Sequence, residues 1–234
     1  MKLGKDIQEI LAGFGKTIKI LFQHHTLKDE LFNNNWYPIS YVSRFEKDPK
    51  ESIDEFMERL MTANYDKIKQ YCLSSLPLRK DILEESFKLF EAENYIACIP
   101  LFLIQTDGIA RDYGAKGMFS GEGNFKKIDD QRKSKMIPYI NKYANKDIKK
   151  AAFFLALNSE KFIGEKSYEE LLITKRTENT TPEENFCLNR HGILHGFSEY
   201  QDYPNKLNAL RSICFMVYTL NICEQLKFAE ENNI

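Results

Sequence analysis

The stretch Asn189-Arg190-His191-Gly192-Ile193-Leu194-His195-Gly196 holds two of the four histidines in a chain of 234 residues. It follows Thr181-Pro182-Glu183-Glu184, which carries the marks of a helix start: threonine at the N-cap, proline at the first helical position and acids in the first turn. The signal predicts a helix from about Pro182 through both histidines. An α-helix advances about 100° per residue. On that wheel Phe186, Ile193 and Phe197 share one stripe, Arg190 falls in its middle, and His191 and His195 sit together on a flank. A cation in an apolar stripe is costly unless it is paired or faces an anion. Gly192 and Gly196 weaken a helix, but they remove side chains beside the histidines and let another backbone or a ligand come close. An arginine, two histidines and cleared space together point to a phosphate site.

Outward from this stretch the periodicity is helical almost everywhere. Ser198 to Pro204 reads as a break and Asn205 to about Glu230 as a last helix. Its segment Ile213-Cys214-Phe215-Met216-Val217-Tyr218 is apolar on every face, which places it in a core or in a dimer seam. Upstream, Ser52 caps a helix running to about Cys72, Pro77 opens one from about Leu78 to Ala92, and Tyr95 to Tyr113 forms a third, kinked at Pro100. Asp107 and Arg111 are four apart in it and can pair; the other reading makes Asp107 a core carboxylate that orients Arg190 or a histidine. Further helices are predicted at roughly 130–145, 147–158, 166–175 and 5–25. Leu171-Leu172-Ile173-Thr174 is the one tempting strand. The fold class is therefore all-α. Residues 1–48 read as an N-terminal extension whose aromatics, from Trp36 to Phe45, pack on a helical domain spanning 49–234.

Arg190-His191-Gly192-Ile193-Leu194-His195 resembles the signature of HEPN-domain ribonucleases: an arginine, four to six residues, then a histidine, often with a polar residue straight after the arginine. Ile99 to Ile109, with Asp107-Gly108 near its end, looks like the apolar helix ending in Asp-Gly of a branch of HEPN-like proteins. The resemblance covers roughly residues 50 to 230, by helix order. It implies an antiparallel helical bundle with extra helices, and a homodimer with two motif copies across a shared cleft. It also implies metal-independent RNA cleavage by 2′-OH attack, with no cofactor, in bacterial toxin–antitoxin or antiviral (abortive infection) defence. By the family pattern Arg190 and His195 are the catalytic pair, with Asn189 and His191 as flanking phosphate-binding or orienting residues. An antitoxin or another defence-system component is the further partner it implies. One branch of toxins carries a tyrosine two residues after the histidine as a modification target; Phe197 stands there in this chain.

Composition sets limits on these readings. Thirty-three basic against 34 acidic side chains give a net charge of −1, so no global field attracts nucleic acid. Between Lys126 and Lys150, however, nine basic residues face three acids. That run is either an RNA-backbone patch or the solvated face of a surface helix. Five scattered cysteines without a C-x-x-C pair read as buried, reduced thiols of a cytoplasmic protein. The longest strongly apolar run, Tyr95 to Ile104, is too short for a bilayer, so no membrane partner is expected. Gly114, Gly117, Gly121 and Gly123 mark a loop whose spacing fits no dinucleotide fingerprint. Gly13-Phe14-Gly15-Lys16-Thr17 lacks the first glycine of a P-loop.

Two rival functions stay open. One is a helical RNA-binding or scaffold domain that uses Arg190 and the histidines for dimer contacts. The other is a metal hydrolase built on His191 and His195 at i and i+4, as in zincins, though the glutamate between such histidines is missing here.

Overall fold

The computed structural model describes residues 27–113, 173, 175–181 and 188–231. Among the described residues no strand occurs, in line with the all-α reading. Ser52 opens the first helix, α1 (Ile53–Ala63), through a reciprocal capping box: its hydroxyl accepts from the Glu55 amide (3.2 Å) and its amide donates to the Glu55 carboxylate (2.8 Å). The helix expected to run on to Cys72 stops at Asn64 and resumes as α2 (Tyr65–Ser75). The reason is local. Asn64 is buried and its side-chain amide donates to the Leu60 carbonyl at 2.8 Å, competing with the backbone for that acceptor. Pro77 opens a 3-10 turn ahead of α3 (Lys80–Glu91). Glu93 at φ 57° then turns the chain into α4 (Tyr95–Asp112).

Pro100 lies inside α4 and has no N–H to offer the Ile96 carbonyl. The orphaned carbonyl is met from outside the helix: the Tyr203 hydroxyl donates to it at 2.8 Å. Tyr203→Phe is therefore expected to cost about 0.5–1.5 kcal/mol, measured by urea unfolding. In a Pro100→Ala background, where the backbone N–H returns, that cost should shrink. An equal cost in both backgrounds would show that the hydroxyl acts elsewhere. Gly108 does not end the helix, which continues to Asp112. Its missing side chain instead lets the Arg79 guanidinium lie across α4, since a Cβ there would fall 2.3 Å from Arg79 Nη1. Arg79 donates to Asp112 at 2.6 and 2.9 Å and to Gln105 at 2.8 Å.

The centre of the molecule is α6 (Lys206–Glu231). Helices α4 and α1 pack against it, and Ile213 through Tyr218 are all fully buried within the single chain. That apolar run therefore belongs to the chain's own core rather than to a dimer seam. Residues 27–33 are helical and lead into Asn35 at φ 60°. Leu31, Phe32, Trp36, Tyr37, Ile39 and Val42 are buried in the same cluster as the helices. The Tyr37 ring lies 4.4 Å from that of Phe215. Trp36 Nε1 donates to Asp54 at 2.7 Å, and the largely buried Arg211 donates to the same oxygen at 2.8 Å with its guanidinium over the Trp36 ring.

Cys72, Cys98, Cys214 and Cys223 are buried free thiols, each pushed up to about 12, chiefly by burial. No described helix is long and apolar enough to cross a membrane. Several expectations lie outside the described residues: the helices at 5–25, 130–145 and 147–158, the basic run Lys126–Lys150, the glycine loop, Phe186 and Cys187. The expected helix at 166–175 is met only at its end, where Ile173 and Lys175 are not helical.

Candidate functional site

The motif does not sit inside a long helix. Asn189 has extended backbone (φ −112°, ψ 111°) and is itself the N-cap, its side-chain oxygen accepting from the Gly192 amide at 2.7 Å. Helix α5 therefore spans only Arg190–His195, and the expected continuous helix from Pro182 does not reach the histidines. Asparagine is among the strongest N-caps, and here tertiary bonds hold it in place. Its amide nitrogen donates to the Lys175 carbonyl (2.8 Å), the Arg190 amide to the Ile173 carbonyl (3.0 Å), and the Asn35 side chain to the Leu188 carbonyl (3.1 Å). Asn189 is buried and both ends of its amide are engaged in this scaffold. Through these bonds it positions the start of the helix.

The other end is a Schellman cap. Gly196 adopts φ 69°, its amide donates to Ile193, and the Phe197 amide donates back to Gly192 at 3.0 Å. Left-handed backbone is what glycine tolerates at this position. The turn removes Phe197 from the helix, so Phe197 does not join the predicted stripe around Arg190. Ile193 is buried in the chain's own core and Phe197 is exposed. Gly192 serves packing rather than ligand access. A Cβ there would lie 2.3 Å from the buried ring of Tyr200, which occupies the space. The Tyr200 hydroxyl meets Thr180 Oγ1, which donates to the Thr177 carbonyl at 2.8 Å. The Thr177 hydroxyl lies 3.4 Å from His191 Nδ1.

His191 and His195 come together as their spacing predicts, with ring centroids 4.5 Å apart. Phe197 completes the group: its ring lies 6.0 Å from His191 and nearly parallel to it, and 6.4 Å from His195. His195 is exposed, while Arg190 and His191 are half-buried. His191 is held below the ordinary histidine range, first by partial burial, then by the neighbouring His195 and Arg190, against a weaker opposing pull from Glu178. A neutral imidazole can accept a proton, and Arg190 beside it can bind an anion through its fork of donors.

The depressed value has a stability consequence. The unfolded chain takes up this proton at about pH 6.5, the folded chain only at lower pH. Stability is thus complete above pH 6.5 and falls as pH drops from there toward the folded value. His191→Asn is expected to flatten that part of the melting-temperature profile; a profile identical to wild type between pH 7 and 5 would assign the dependence to other groups.

Asp107 is engaged with Arg111 within α4, the guanidinium donating at 3.0 Å. This is the i, i+4 pair that the spacing allows. Sequence reading missed Thr177 and Thr180, from one turn, and Tyr200, from another; they carry no motif of their own. Gly192, a glycine inside an otherwise good helix, was the one available hint that a large ring passes close by. Among the described residues no three His, Cys, Asp or Glu side chains form a cluster able to hold a metal ion. The chain matches no family model, no curated protein and no solved structure, and the reading of the site rests on its residues and their geometry.

Proposed function

We propose that the protein is a metal-independent endoribonuclease whose site is Arg190, His191 and His195. The observation that carries this reading is a pair of imidazoles 4.5 Å apart, one of them held below the ordinary histidine range, with a half-buried arginine at the first position of the same short helix. In the proposed step the RNA 2′-OH attacks the adjacent phosphorus. His195 takes the hydroxyl proton, the bond from phosphorus to the 5′-oxygen breaks, and the leaving oxygen takes up a proton from solvent. The products are a 2′,3′-cyclic phosphate and a 5′-OH. Proton transfer at neutral pH is the work a histidine does best. Arg190 stabilises the charge that builds on the non-bridging oxygens. Thr177 steadies His191, which in turn stands against His195.

Two further elements come from the HEPN resemblance alone: a two-fold homodimer and a place in bacterial toxin–antitoxin or antiviral defence. On a helix Arg190 and His195 lie about 140° apart, so a second copy would improve the grip on one phosphate. Ile96 and Ile104, exposed on α4, which packs against α5, offer apolar surface for that contact. A second reading is a non-catalytic RNA-binding or scaffold domain. It is favoured by the structural engagement of Asn189, Gly192 and Tyr200, which would build the same corner without chemistry.

The experiment is product analysis in EDTA. Single-stranded RNA incubated with the purified protein is expected to yield 2′,3′-cyclic phosphate and 5′-OH ends. Intact RNA bound to the protein would favour the scaffold, and cleavage that stops on chelation would favour metal hydrolysis.

A further inference from the structure

Phe197 is the member of the ring cluster to which the proposed chemistry gives no task. It is 42% exposed, one of five large apolar side chains left open among the described residues. Its backbone is fixed by the Schellman bond to Gly192 and by the Tyr200 amide, which donates to the Phe197 carbonyl at 3.0 Å. Its ring runs at 17° to that of His191 and at 67° to that of His195. A Schellman cap commonly places an apolar contact between the residue after the glycine and the last helical turns. Phe197 against His191 makes that contact, but any aliphatic side chain would make it too. A phenyl ring adds a flat π-face, and here it stands beside the two imidazoles. The corner next to it is open, since a side chain at Gly196 would meet nothing within 4 Å.

We infer that Phe197 is a stacking platform for an unpaired nucleobase adjacent to the phosphate bound at Arg190 and His195, which makes single-stranded RNA the substrate class. The inference rests on the ribonuclease reading for its phosphate, but the stacking itself can be measured without cleavage. Every base has a π-face, so an aromatic platform recognises single strands without choosing a sequence. In a duplex the bases are already stacked on one another and cannot reach a ring on the protein surface.

The test titrates the full chain with a single-stranded 2′-O-methyl oligonucleotide, which has no attacking hydroxyl, and with a fully abasic strand of the same length. Phe197→Leu is expected to weaken binding of the intact strand roughly tenfold and to leave the abasic strand unaffected. Phe197→Trp should restore the intact-strand affinity. On cleavable RNA, Phe197→Leu should raise KM and leave kcat near wild type, because stacking holds ground and transition states alike. Circular dichroism and melting temperature control for folding. Equal affinity of wild type and Phe197→Leu for the intact strand overturns the platform. So does a change in sedimentation without a change in RNA affinity, which would place the ring in a contact between two copies. Cleavage by wild type with equal affinities removes the platform and keeps the ribonuclease. No cleavage, with the tenfold difference intact, removes the ribonuclease and keeps the platform.

Discussion

His195→Ala is expected to lower RNA cleavage by about 10²–10⁴-fold, the range spanned by the loss of a positioned acid–base group. Its melting temperature should stay within a few degrees of wild type, because His195 is exposed at the end of a helix whose cap is made by Gly196. Arg190→Ala should lose activity to a similar degree. A donor aimed at transition-state charge contributes about 10²–10³-fold by itself, and removing Arg190 also takes away one of the charges that hold His191 below the ordinary histidine range. The Arg190 amide bond to Ile173 is backbone and survives the substitution. The two losses should combine to less than their product, since the groups act on one phosphate. Initial rates on a fluorogenic single-stranded RNA, with circular dichroism on the same samples, decide the matter. Either variant cleaving at the wild-type rate would remove Arg190 and His195 from the chemistry, and the domain would then be read as a scaffold.

The second large effect is expected far from the site. Trp36→Ala should destabilise the protein by about 3–5 kcal/mol, the cost of emptying a large aromatic site. Trp36 is fully buried, and it also anchors an electrostatic pair. Its indole N–H and Arg211 donate to the same Asp54 oxygen, and the guanidinium lies 5.4 Å from the ring centroid. Trp36→Phe keeps most of the volume and loses the donor, so its cost should be nearer 1–3 kcal/mol. Against a typical total of about 5–15 kcal/mol, the alanine variant stands near the edge of folding. Urea unfolding of both variants measures this. A cost below about 1 kcal/mol for Trp36→Ala would mean that the segment around Trp36 is a loosely held extension outside the cooperative core. If the large cost is found, RNA cleavage should fall with it, since Asn35 beside Trp36 holds the Leu188 carbonyl at the entrance to the motif.

The sequence by itself determined much of the helical layout. Ser52 and Pro77 are local signals of helix starts, and local hydrogen bonds or fixed dihedrals carry them out in the fold. The all-round apolar face of Ile213–Tyr218 narrowed its place to a core or a dimer seam, and burial within the single chain decided for the core. The i, i+4 spacing of His191 and His195 brought their rings together, and the same spacing paired Asp107 with Arg111.

Tertiary structure decided the rest, wherever two local signals competed or a distant group supplied the partner. Thr181-Pro182 reads as the start of the motif helix. Asn189 closes the motif helix because Lys175, Ile173 and Asn35 fix the backbone around it through bonds to residues far along the chain. The helix expected to reach Cys72 breaks at Asn64, whose burial leaves its amide to find an acceptor in the preceding turn. Gly192 looked like room for a ligand, but its neighbour in space is Tyr200, eight residues on, and no one-dimensional period brings those two together. The apolar stripe around Arg190 required Phe197 to remain helical. The left-handed turn at Gly196 ended that, and by doing so set the phenyl ring against the histidines. Helical periodicity reports only on neighbours within a turn or two; which glycine is filled and which ring stands open depend on side chains that meet only once the core has formed.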